Sequence, residues 1–180
     1  MKRLLLIMLL FAGGCSFFSK STSKTYSLDT IAPAAPVAKR GTAVAIDTIE
    51  LPPGLDRREI VVRKANQQLE IRSNELWPAN LQPLVLHTLA FDLAGRLPEG
   101  MVVLPGQSRP ATAPRAIDVA FEELTAGPEN RVTLDAHWTL AGANHHERIT
   151  VDIKSLDSAS VATGTSQALA ALADRIAAGV

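Results

Sequence analysis

The sequence is poor in sulfur and aromatics and has no surplus of charge of either sign. A single cysteine, Cys15, among 180 residues excludes an intramolecular disulfide, so stability has to come from packing. Lys and Arg number 18, as do Asp and Glu, and the two signs are interspersed. No basic face is left to pair with phosphates, and nucleic acid is not an expected partner. The longest apolar run, residues 4–12, is about half the roughly 20 residues that a membrane-spanning helix requires. Also missing are G-x-S-x-G, H-E-x-x-H, C-x-x-C and a phosphate-cradling glycine loop, the motifs that would nominate common enzyme classes. What is plentiful is aliphatic: the hydrophobic fraction is 47% against 4% aromatic, enough for a real core.

The opening MKRLLLIMLLFAGGCSFFSK has the three parts of an export signal: positive Lys2 and Arg3, the apolar run, and small Gly13-Gly14. The small pair runs straight into Cys15, as in signals cut by the lipoprotein peptidase, although Ala12 stands where Leu is usual. Residues 1–14 are therefore expected to be a signal peptide, with Cys15 diacylated on sulfur and acylated, for example by palmitate, on its new amine. Three chains at ~0.8 kcal/mol per buried methylene would make an effectively permanent anchor. A free thiol and an intermolecular disulfide are the alternatives. Residues 15–25 read as a tether with a reach of roughly 35 Å at full extension. Phe17 and Phe18 in it either dip into the membrane interface or pack on neighbouring protein. About 165 residues follow the signal, which fits one domain at 26–180.

Within that domain a short strand is expected at 26–28, then a Pro-containing loop at 31–41 and a β-branched strand at 42–49 stopped by Pro52-Pro53-Gly54. EIVVR and QLEIR at 59–63 and 68–72 have hairpin spacing. Residues 80–97 change to helical period, with apolar stripes through Leu81, Leu84, Val85 and Leu86, Leu89, Leu93. MVVLP at 101–105 reads as a short strand. Three alternating runs, carrying Ile117, Val119 and Phe121, then Val132 to Leu140 at every second position, then Ile149, Val151 and Ile153, form an antiparallel meander. An Ala-rich helix closes the chain from about 158 to 178, with Gly164 suggesting a late start near Thr165. One apolar sheet face and two apolar-striped helices predict a two-layer α+β domain: an antiparallel or mixed sheet with both helices on one face.

Candidate chemistry is sparse. His137, His145 and His146 lie near one another on adjacent strands, but sequential residues of a strand point to opposite faces, so no metal is expected. Glu122-Glu123 fail as an acid pair for the same reason unless a bulge intervenes. His87 on the first helix has no nucleophile at a telling spacing. No cofactor and no enzymatic activity are expected. The turn containing Asp56, Arg57 and Arg58 either binds a partner's carboxylate or phosphate through its arginines, or pairs within itself through Asp56 and Glu59.

Taken in order, Cys15, Tyr26-x-Leu28, Leu51 to Arg57 as L-P-x-x-L-D-R followed by Ile60-Val61-Val62-Arg63, and Trp77 with Leu81 resemble the ABC-type transport auxiliary lipoprotein family, the PqiC-like proteins. Gly54 and Ala159 stand where that family commonly carries aromatics. The resemblance implies a non-catalytic lipoprotein of the Gram-negative outer membrane, facing the periplasm. It also implies an MCE-domain or ABC transporter partner moving lipids or other hydrophobic molecules, and self-association into a homo-oligomer. The alternative is a periplasmic lipoprotein that holds a hydrophobic ligand itself, which needs a lined cavity on the scale of ~300 Å³ between sheet and helices.

Overall fold

The computed structural model describes residues 22–33, 42–108 and 110–180. Eight strands form one mixed sheet: β1 (Lys24–Thr25), β2 (Val44–Glu50), β3 (Glu59–Arg63), β4 (Leu69–Leu76), β5 (Val102–Val103), β6 (Arg115–Gly127), β7 (Arg131–Leu140) and β8 (Ala143–Asp152). Helices α1 (Leu81–Arg96) and α2 (Ser158–Gly179) complete the α+β fold.

The meander is as the alternation predicts: β6 pairs antiparallel with β7, and β7 with β8. Ile117, Val119, Phe121, Val132, Leu134, Ala136, Trp138 and Leu140 are buried, on the face that α2 covers. The period-2 pattern breaks once. Phe121 pairs with Ala136 and Glu123 with Asp135, so Glu122 is an extra residue in a bulge. Past it, Leu124 and Ala126 return to the core.

The opposite edge of β6 is shared by two strands. Residues 115–120 pair in parallel with β2, and Ala126 pairs in parallel with Val62 of β3. The chain leaves that edge at Pro52-Pro53, which have no N–H to donate, and rejoins it at Glu59. Gly54 turns the excursion at φ +84° and Leu55 drops back into the core. Beyond β3 the sheet continues through β4, antiparallel, to β1, parallel; beyond β2 lies β5, parallel.

Two expectations need correction. The first strand is Lys24–Thr25, not 26–28. Tyr26 N–H still donates to Leu76 O at 2.8 Å, but from there the chain leaves the sheet because its next amides find partners on the helices, Asp29 N–H on Ser166 Oγ and Ile31 N–H on Asp92 Oδ1. The second concerns α2, which starts at Ser158 rather than near Thr165. Asp157 caps it, accepting from Ser160 N–H. Gly164 lies inside because α2 presses on the sheet there: an added Cβ would sit 2.4 Å from Ile153 Cγ2 and 2.8 Å from Val132 Cγ2. The helix tolerates the residue's propensity cost because only a residue without a side chain permits this approach.

Candidate functional site

The excursion between β2 and β3 is the most elaborated surface feature. It plugs a gap on the β6 edge between Ala120 and Ala126, and the N-terminus of α1 meets it there. Asn80 at the N-cap of α1 makes no side-chain cap bond. The capping acceptor comes instead from Asp56, whose Oδ1 accepts from Gln82 N–H at 3.0 Å, while Gln82 Nε2 donates to Ile49 O at 2.6 Å. Arg58 is bound at both ends, its carbonyl accepting from Trp77 N–H at 2.6 Å and its Nε donating to Trp77 O at 3.4 Å. Arg57 has its Nε 3.8 Å from Glu59. Of the three residues singled out in this turn, Asp56 therefore serves the fold; Arg58 is exposed, and Arg57 is half-buried with its Nε shut away from water and without a hydrogen bond among the described residues.

Beneath the turn, Leu55, Trp77, Leu81, Leu124 and Val161 close around a cavity of only about 20 Å³, room for a single water. A larger hollow of about 480 Å³ opens between the end of α1 and β5, lined by Ala94, Pro98, Val102 and Leu104 among others.

The outer sheet face carries a polar network that the bulge creates. By turning both Glu122 and Glu123 outward, it lets Glu123 receive Arg63 at 2.7 Å and Arg148 at 3.6 Å. Arg148 also donates to Asp135 Oδ2 at 2.7 Å, and His146 Nε2 lies 2.6 Å from Asp135 Oδ1. His137 stacks on His146 with ring centroids 4.4 Å apart and meets Glu122 at 3.0 Å. His145 is on the other face, stacked on Trp138, as strand alternation requires. Among the described residues no cluster of His, Cys, Asp and Glu has metal-binding geometry. His87 is exposed and rests on the Phe91 ring, and Cys15 lies outside the described residues.

Sequence reading missed a second ionic site. Asp92 and Arg96, one turn apart on α1, are both buried. Burial away from water raises Asp92 from its ordinary 3.8 to about 6; the Ile31 N–H bond and the Arg96 charge oppose the shift and Asp174 adds to it. The signal was present as two charged residues at i,i+4 beside the apolar stripe of Leu89 and Leu93. Their partner, 61 residues upstream, was not.

No helix among the described residues is long and apolar enough to cross a membrane. Among solved structures, an uncharacterised protein matches with a TM-score of 0.73 at 17% identity, over 88% of this chain and 98% of that one. A Xanthomonas campestris protein of the DUF330 family matches with a TM-score of 0.63 at 14% identity, over 85% and 92%. These establish a shared fold. No curated protein matches the chain. The family model described as "ABC-type transport auxiliary lipoprotein component" matches residues 26–177, from Tyr26 almost to the end of α2, and the chain therefore belongs to the ABC-type transport auxiliary lipoprotein family.

Proposed function

We propose that the chain is a non-catalytic lipoprotein, acylated at Cys15 and held at the outer membrane facing the periplasm, where it docks an MCE-domain subunit of an ABC-type system that moves lipids or other hydrophobic molecules. The observation that carries this reading is the family match across residues 26–177. The cavity of about 20 Å³ beneath the 54–58 turn leaves no room for a ligand at that place, so the turn is read as a docking feature. Self-association into a homo-oligomer belongs to the same proposal. So does a contact role for the Asp56, Arg57 and Arg58 turn, in which Arg57 and Arg58 meet carboxylates of the partner while Asp56 holds the turn on α1.

The test is affinity capture of the lipidated protein from membranes, with mass spectrometry of co-purifying proteins and lipids. A transporter subunit with substoichiometric lipid is the expected result. A stoichiometric small hydrophobic molecule and no transporter subunit would overturn the proposal.

A further inference from the structure

Residues 26–33 form a strap across the seam between α1 and α2, fastened to both helices. Tyr26 and Leu28 pack on the core. Asp29 N–H donates to Ser166 Oγ on α2 at 3.0 Å, Ile31 N–H donates to Asp92 Oδ1 on α1 at 2.7 Å, and Ile31 O accepts from Arg96 Nη1 at 3.0 Å. Pro33 reaches within contact distance of Gly95, where an added Cβ would lie 3.6 Å from Pro33 Cδ.

Under the strap sits an unusual buried carboxyl. The Asp92 side chain is fully inaccessible, and its Oδ2 has no hydrogen-bond partner among the described residues. The charged groups around it are Arg96 on its own helix, with Nη1 3.7 Å away, and Asp174 on α2, which takes the Arg96 Nε bond at 2.6 Å. The strap offers it the backbone amide of Ile31 and no charge. One guanidinium thus serves two carboxylates, and the buried one keeps an oxygen unsatisfied.

We propose that Asp92, with Arg96, is a proton-linked latch that holds the 26–33 strap across the seam between α1 and α2. Closing the strap removes Asp92 from water, which disfavours the anion, so closure takes up a proton. The rise from 3.8 to about 6 fixes the direction: the latch is tightest below about pH 4 and loosens as pH rises through 6. If strap closure accounts for all of it, opening becomes up to about 100-fold more frequent across that range. Opening releases the strap from α1 and α2 while β1 stays paired with β4. The latch does not depend on acylation at Cys15.

Hydrogen exchange of the full lipidated chain in nanodiscs at pH 5.0 and 7.5, corrected for intrinsic rates, tests it. Expected is faster exchange of peptides spanning 26–33 at the higher pH, with peptides of β7 unchanged, and loss of that difference in Asp92→Asn. Ser166→Ala, which weakens the strap without removing the titrating group, should raise exchange at both pH values and keep the difference. Equal strap exchange at the two pH values in the wild type, or faster exchange at pH 5.0, overturns the latch without any variant. An unchanged pH effect in Asp92→Asn overturns the role of Asp92. If Cys15→Ser leaves the nanodisc while its strap keeps the same pH response, the anchor reading stands and the latch is independent of it. If Cys15→Ser stays bound, the anchor reading fails, whatever the strap does.

Discussion

At the scale of single residues, close approach and buried charge decide most. Gly164 touches the sheet through its missing side chain, and Gly164→Ala should cost about 1–3 kcal/mol, because Ile153 and Val132 are held by the strands they belong to and cannot step aside. Urea unfolding of the two proteins measures it, and an unchanged midpoint would mean that α2 slides instead. Asp92 predicts a pH dependence of global stability. Its folded value is raised above the unfolded one, so its contribution is fully present below about pH 4 and is lost as pH rises through about 6. Relative to Asp92→Asn, the wild type should lose on the order of 2–3 kcal/mol between pH 4 and 7.5. A stability difference between the two that stays constant with pH would refute this. Asp157 behaves oppositely. Hydrogen bonds from Ser155 first, then from Ser160, hold its carboxyl well below the usual range, so the cap of α2 should stay ionised in moderately acidic solution.

At the scale of elements, the informative feature is the exchange of parts between neighbours. Helix α1 is capped by the turn that precedes β3, so turn and helix depend on each other. Asp56→Ala should destabilise the fold by ~0.5–2 kcal/mol, and Asp56→Asn, which keeps the acceptor, should restore most of it. Arg57→Ala with Arg58→Ala should leave the melting temperature nearly unchanged and reduce capture of the transporter subunit. A stable Asp56→Ala protein that has lost the partner would instead make the carboxylate itself the contact. The hairpin spacing, the alternation of β7 and β8 and the stripes of α1 were all legible because each is a local pattern with one period. The bulge at Glu122 was not, since nothing in FEELT says which residue is extra until β7 supplies the register.

At the scale of the molecule, β6 is the spine. It carries the meander on one edge and two separate strands on the other, with α1 and α2 packed on the same sheet. The two tryptophans report on different branches: Trp77 follows β4 and is bonded to Arg58, and Trp138 lies in β7 beside His145 and Gly179. If residues 26–180 are one cooperative unit, Trp77→Phe and Trp138→Phe proteins should show fluorescence transitions that coincide with each other and with loss of circular dichroism. An earlier transition at Trp77 would mean that the β3–β4 branch opens on its own.

Composition, periodicity and turn residues determined the two-layer α+β class, the meander and both helices, because these depend on short-range patterns that any packing must respect; the family resemblance lay in the ordered motifs from Tyr26 to Leu81. Only the tertiary structure decided that β2 and β3 share one edge of β6, that Glu122 and Glu123 both face outward, that Gly164 belongs inside a helix, and that Asp92 is sealed beneath residues far upstream. Each of these is a relation between segments distant in the chain. Its energy comes from burial or from a bond whose second partner no local window contains.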